Sequence, residues 1–361
     1  MGFVIAFPSA FADKQALART IKKAASDIIK VVIEGNCIVC ESSDAVELAS
    51  QLASLFGVGK VAIAKKVSSN FSDLSGAIVE VGTKVIMPGA NFYVKVIQQA
   101  DKYDYVSRDV EFCVSGILTE RLASINARPA KTEEEASHLI LTVVGKEWAY
   151  VCTQVFSAPG GLVAGSQGRF LSSIHSALSL LSCLMAAKAG FESTTIVLPY
   201  LDESELESNA KLMQLFATKT GIKKQTILVM PINVPVKGAD ALLVKEKIIS
   251  KILIRHEDSR IVFPLTAAVH PIWLIESIMQ EALSAGKTPF APLVFMSSEL
   301  VTYAQDAGIE LDLRAASITG KDKLQKYNNT IDSEAKVAIK RTKRLELKVG
   351  PNYLHDIIDS I

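Results

Sequence analysis

Between Gly165 and Gly190 the chain reads GSQGRFLSSIHSALSLLSCLMAAKAG, a strand-to-helix passage in which backbone N–H groups and the hydroxyls of Ser176 and Ser179 could hold an anion. Phosphate binding of that kind also needs glycines, which let a backbone close on the ligand and adopt positive φ. None stands between Ile174 and Ser179, and Leu178 offers no polar group. Ile174, Leu178, Leu181 and Met185 recur at helical spacing, so the passage reads as a packed helix whose start does not bind phosphate. Histidine suits acid–base work near neutral pH. Neither His175 nor His270 has a partner at a triad or metal spacing, and both are read as partly buried structural residues. Cys37 and Cys40, in CIVC, have redox or zinc spacing. They lie in the strand-like run IKVVIEGNCIVCES, where residues three apart face opposite ways, and no second pair completes a zinc site. The five cysteines sit in apolar surroundings, as reduced buried thiols do. Cys183, one turn from Ser179, is read as core. No catalytic residue and no metal site is assigned.

The elements that would hold these residues fall into several units, as expected for 361 residues of which about half are hydrophobic. DKQALARTIKKAASDIIK from Asp13 and DAVELASQLASLFGV from Asp44 have helical periodicity, with short strands around Gly35 and Asn36 and another at KVAIAKKV. This order predicts a ferredoxin-like domain over 1–75. NFYVKVIQ alternates as a strand, SRDVEFCVSGILTERL is an amphipathic helix opened by a Ser cap, and HLILTVVGKEWAYVCTQVF is a hairpin turning near Gly145; these define a second domain over 76–168. After the glycine-rich SAPGGLVAGSQG, fully apolar runs (TTIVLPY, QTILVMPINV, SRIVFPLT, APLVFM) alternate with helices, the pattern of a parallel sheet covered on both faces. The expected fold is thus multidomain α/β and α+β, with a doubly wound domain over 169–314 and a basic extension over 315–361 that reads as an appended tail. RLELKVG is its candidate strand.

A formal charge of +1 predicts no strong overall field for nucleic acid, so RNA binding would depend on a local patch. No apolar run reaches the ~18 residues that cross a bilayer, and MGFVIAFPSAFADK lacks the basic start of a secretory signal. A cytoplasmic protein without a membrane partner is expected.

The middle stretch, FYVKV, SRDVEFCVSGIL and HLILTVVGKEWAYVCTQVFSAPGGLVAGSQGR, resembles the THUMP domain and exit segment of tRNA 4-thiouridine synthases. TPFAPLVFMSSELVTYAQDAGIEL has the shape of a later segment of that family. The resemblance implies a ferredoxin-like domain, a THUMP domain that holds tRNA, and an adenine nucleotide alpha hydrolase-like ATP-pyrophosphatase domain, with no rhodanese-like domain expected after it. In the family ATP with magnesium is held by a Ser-Gly-Gly-x-Asp-Ser loop, uridine is adenylated, and a cysteine persulfide supplies sulfur. Here Ile174, His175, Ser176, Ala177, Leu178 and Ser179 stand across that motif, so His175, Ser176, Leu178 and Ser179 mark a vestigial nucleotide loop. The later nucleotide-facing loop corresponds to PLTAAVHPIWLIES, and no cysteine follows Cys183. No cofactor is therefore expected.

What the resemblance implies about RNA rests on Lys95, Lys102, Arg108, Arg121, Arg128, Lys131 and Arg169, cations suited to phosphate contact. Lys22, Lys23, Lys65, Lys66 and the run AIKRTKR could extend that surface. The leading expectation is a non-catalytic tRNA-binding protein that presents tRNA to a separate catalytic partner. The alternatives are an ATP-dependent tRNA uridine thiolation enzyme with an altered loop, and a structural or regulatory interaction protein. The resemblance also allows a homodimer.

Overall fold

In GFVIAFP, successive apolar side chains leave the strand on opposite faces, so strand β1 (Gly2–Pro8) needs a core on both sides, and Val4, Ile5 and Ala6 are all fully buried. The computed structural model describes residues 2–24, 28–99, 103–220, 222, 224–238, 240–313 and 321–348. Two compact units divide the chain, Met1–Gly161 and Leu162–Ile361. Among the described residues no helix is long and apolar enough to cross a membrane.

In the first unit, β1 is followed by α1 (Lys14–Ala24), β2 (Ile28–Glu34), β3 (Cys37–Ser42), α2 (Ala45–Ala53) and β4 (Val58–Ser68). Gly35, at φ 55°, makes the tight β2–β3 turn, and Asp44 caps α2 by accepting from the backbone of Val46 and Glu47. Next come α3 (Phe71–Val85), β5 (Asn91–Gln98), α4 (Ser107–Arg121), β6 (Arg128–Pro129), β7 (His138–Val144) and β8 (Trp148–Ser157). All eight strands form one sheet in the order β2-β3-β1-β4-β8-β7-β5-β6. Its first four have the ferredoxin-like order, but β4 and β8 are bonded neighbours, and the expected break after Ser75 falls inside α3. The two expected domains therefore share a sheet. Ser107 is the first residue of α4 and not its cap; Val106 holds that position without a side-chain bond.

Helices α3 and α4 cover one face through Leu74, Ile78, Val114 and Leu118. On the opposite face Ile5, Cys37, Val39, Ala62, Val143 and Cys152 form a core of strand residues alone. Curvature buries it. The β2–β3 turn reaches the end of β5, where Asn36 N donates to Gln99 Oε1 at 2.6 Å, and Lys60 and Lys95 converge on Glu133.

The second unit runs β9 (Arg169–Ser173), α5 (Ala177–Lys188), β10 (Glu192–Tyr200), α6 (Glu203–Thr220), β11 (Lys224–Pro231), α7 (Asp240–Arg255), β12 (Arg260–Val262), α8 (Ile272–Ser284), β13 (Thr288–Phe290) and α9 (Ser298–Asp306). Then come α10 (Lys321–Gln325), α11 (Asn328–Lys340) and β14 (Lys343–Lys348). The six-stranded order is β13-β12-β9-β10-β11-β14, parallel except for β14. From β9 the chain winds outward through β10 and β11, then returns to the other side through β12 and β13, as expected of a doubly wound sheet. APLVFM is not a strand. The strand forms just before it at TPF, where Pro289 is tolerated because β13 is an edge strand.

The expected C-terminal tail needs the larger correction. Ile331, Ala335 and Ala338 of α11 are at most 2% exposed, in the cluster that contains Ile248 and Ile252 of α7. Strand β14 pairs antiparallel with β11 over Lys343–Lys348, so the basic run spans the end of α11, its C-cap Arg341 and the start of an edge strand. The run's exposed charges lie on and after the helix whose apolar side joins the core.

Ion pairs fix the helix as well. Asp332 bonds Lys251 at 3.2 Å and Lys336 at 3.3 Å and also reaches Arg255, while Lys251 bonds Glu281 on α8 at 2.8 Å. Burial alone would raise the Asp332 carboxyl, but these cations bring it down to about 2. Because its folded value is depressed, its contribution is complete above the ordinary carboxylate range and is lost as pH falls toward 2. Asp332→Asn should cost about 1 kcal/mol at pH 7 after solvent screening. Denaturant unfolding should show that difference shrinking between pH 4 and pH 2.

Candidate functional site

Strand order reverses between β9 and β12, and in open α/β sheets the crevice beyond the carboxyl ends of the strands at such a point is where ligands bind. The chain leaves β9 through Ile174, His175 and Ser176 into α5, and leaves β12 through Pro264 toward His270. Both loops line one cavity of about 250 Å³, which α7 closes with Leu242, Lys245 and Glu246.

At the start of α5 the hydroxyls bond to their own backbone. Ser176 caps the helix by accepting from Ser179 N at 3.2 Å. Ser179 Oγ accepts from His175 N at 2.8 Å and from Ser176 N at 2.9 Å, and donates to Ser176 O at 2.7 Å. Donors that could have faced a phosphate are thus turned inward on a side chain of the same turn. Leu178 is buried at the cavity wall. Of the four residues of the expected loop, His175, Ser176 and Leu178 line the crevice, and Ser179, fully buried, bonds to the first two from beneath.

His175 does have a partner, contrary to its reading from sequence. Its Nε2 lies 2.8 Å from Glu246 Oε1, with both side chains nearly sealed, and its Nδ1 lies 3.1 Å from Ser173 Oγ. Burial alone would push the Glu246 carboxyl up, but His175, with smaller help from His270 and Lys245, holds it below the ordinary carboxylate range. Serine, imidazole and carboxylate in a row suggest a nucleophile, yet Ser173 is fully buried at the end of β9 and does not line the cavity. It orients the ring. His270 is also buried, and its Nδ1 accepts from Thr266 N at 3.2 Å.

Four of the five cysteines are buried in the core, and Cys113 on α4 is half-buried. Burial pushes Cys37, Cys40 and Cys183 each up to about 12, far from a reactive thiolate. Among the described residues no three metal-ligating side chains converge.

Of the expected RNA contacts, Arg108, Arg121, Arg128 and Lys131 are exposed on the first unit and pair with no carboxylate among the described residues. Arg121 ends α4 close to β6, which carries Arg128, with Lys131 just beyond. Arg108 is thirteen residues from Arg121, about 20 Å along the helix axis. Lys95 is bonded to Glu133, and Arg169 belongs to the second unit, 3.7 Å from Glu192. Lys102 lies outside the described residues.

No protein-family model matches the chain. It is 21% identical over 189 residues to a probable tRNA sulfurtransferase of Lactobacillus helveticus, a match covering 51% of this chain and 45% of that protein. A probable tRNA sulfurtransferase of Macrococcus caseolyticus is 20% identical over 187 residues, covering 51% and 46%. The chain spans about half the length of the curated relatives it matches. Among solved structures, a 4-thiouridine synthetase–RNA complex with bound ATP superposes with a TM-score of 0.71 at 14% identity, over 96% of this chain and all of that one. PH1313 from Pyrococcus horikoshii superposes with a TM-score of 0.66 at 18% identity, over 85% of this chain and all of that one. In fold the chain is similar over nearly its whole length to a 4-thiouridine synthetase, and over half of it its sequence is similar to probable tRNA sulfurtransferases.

Proposed function

We propose that this protein binds tRNA through its first unit and that its second unit keeps the fold of an ATP-pyrophosphatase domain without taking ATP. The observation that carries the second half is the Ser179 hydroxyl, which occupies the backbone N–H groups of His175 and Ser176 at the switch point. The Glu246 carboxylate on the opposite wall adds repulsion where phosphates would lie. Adenylation needs bound ATP and sulfur transfer needs a reactive thiol, and neither group is supplied by these residues. In this reading the protein holds tRNA for a separate catalytic partner in the cytoplasm. The names of its relatives favour one rival, an ATP-dependent tRNA sulfurtransferase that uses an altered loop.

The first half rests on the likeness to the RNA-bound synthetase fold and on the unpaired cations around the end of α4. Four phosphate contacts from Arg108, Arg121, Arg128 and Lys131 would give log Kd a slope of roughly 3–4 against log salt. Arg121→Ala and Arg128→Ala should each weaken binding of an unmodified tRNA and each reduce that slope by about 1. Lys95→Ala, at a residue tied to Glu133, should change it much less. Filter binding of these variants across a salt series tests the reading. Binding that is absent at low salt, or a slope untouched by both arginine changes, removes the proposed surface.

A further inference from the structure

The crevice between β9 and β12 turns away phosphate, yet its walls are not those of a filled core. Glu246 is 94% buried at its side chain, and only Oε1 is used, by His175. Its other oxygen, Oε2, receives no hydrogen bond from any described residue. Nor is it one of the sealed unpartnered atoms, which are the hydroxyls of Ser75, Thr142 and Ser193. It is therefore open to the cavity that Glu246 lines. A buried carboxylate oxygen left without a donor costs free energy that a ligand can return.

Carboxylates outnumber lysines and arginines around the cavity, where the imidazoles of His175 and His270 also stand. Glu246, Glu310 and Asp312 line it, the last two at the exposed rim and Asp312 with a partner of its own, so the negative charge facing the cavity rests on Glu246 and Glu310. Lys245 is the only lysine or arginine of the lining, and its ammonium is already in an ion pair with Glu205. Between rim and floor the wall is apolar, with Leu178, Leu242, Pro264 and Val269. A chamber of about 250 Å³ is small beside ordinary ligand pockets and suits a compact group. The want of three converging metal-ligating side chains among the described residues favours an organic cation over a metal ion.

We infer that this crevice is a binding site for a small organic cation, a primary ammonium on a short aliphatic stem, with the charged head on Glu246 Oε2 and the stem against Leu178, Leu242 and Val269. The head supplies the donor that the carboxylate lacks, and the stem replaces water on the apolar wall. A free amine and a lysine side chain of another protein share this chemistry. The site stands independently of tRNA binding.

Titration of the whole protein with butylammonium chloride, followed through the histidine ring resonances, tests the site. Butan-1-ol serves as the neutral isostere and butyrate as the anion. Saturable binding of butylammonium, weaker for butanol and absent for butyrate, is expected. Glu246→Gln, which keeps an acceptor for His175, should weaken it at least about ten-fold while the protein stays folded at the titration temperature, as a melting curve of the variant checks. Leu242→Trp should abolish it by filling the mouth from a position that is 41% exposed. N-acetyl-lysine methylamide separates the sources: binding as tight as butylammonium supports a protein side chain, and binding of butylammonium alone supports a free amine. Equal affinity for butylammonium and butanol, or an affinity unaltered in Glu246→Gln, would overturn the assignment.

Discussion

Replacing His175 by leucine is expected to destabilise the second unit by about 3–5 kcal/mol at pH 7, because it leaves the Glu246 carboxylate buried without its partner. The loss is not the net value of the pair. Taking both polar partners out of water costs nearly what their interaction returns, so the double variant His175→Leu/Glu246→Leu should recover most of the stability. Glu246→Leu alone should cost less, about 1–3 kcal/mol, since the imidazole keeps its bond to Ser173. The pH dependence carries the sign. In the native protein the folded Glu246 value is depressed, so its contribution is present above the ordinary carboxylate range and lost as pH falls through the folded value. Without His175 the largest remaining influence is desolvation, which raises the carboxyl. The variant should then lose stability as pH rises above that range, opposite to the native protein. Guanidinium unfolding between pH 4 and pH 8 measures this, with Trp273 fluorescence reporting the second unit in a Trp148→Phe background. Equal pH profiles for the native protein and His175→Leu would show that the pair is not coupled.

The second large effect lies in the segment that reads as a tail. Ala335 is fully buried between α11 and α7, so Ala335→Asp places an unpaired carboxylate in the core and should cost more than about 3 kcal/mol. A solubilising appendage would tolerate that change within ~0.5 kcal/mol. Removing 321–361 should do more, because it uncovers Ile248 and Ile252 and also exposes the hydrogen-bonding edge of β11. Lower soluble yield and dye binding to exposed apolar surface are the expected outcome, read by thermal melting and light scattering. Native melting after either change would return the segment to the status of an extension.

How much of this was legible depends on the range over which each feature is determined. The fully apolar strands TTIVLPY and QTILVMP announce a sheet covered on both faces, and they became β10 and β11. Phe3, Ile5 and Phe7 alternate with Val4 and Ala6, so a core on both faces of β1 was readable, but the curvature that buries the helix-free face was not. In α11, Ile331, Ala335 and Ala338 mark a buried stripe at helical spacing; the surrounding lysines and arginines obscured it because charge says nothing about the opposite face.

The partnership of His175 and Glu246 spans 71 residues and exists only because β9 is central and α7 crosses back over it. A signal for it was present in ALLVKEKIISKILIR, where Glu246 follows Leu243 by three residues on an otherwise apolar helix face. A carboxylate in a core position requires a partner. The loss of glycines between Ile174 and Ser179 could be read directly, whereas the use of Ser179 to occupy the vacated backbone donors required the loop's geometry.

The central claim, that tRNA is held while ATP is not, is tested most directly by equilibrium binding of an unmodified tRNA and, separately, of ATP with magnesium to the native protein. The expected result is tRNA binding that weakens steeply with salt and no saturable ATP signal, with no tRNA-dependent release of pyrophosphate. Saturable ATP binding with pyrophosphate release would contradict it, and would mean that the turn at Ser176 and Ser179 opens to receive phosphate.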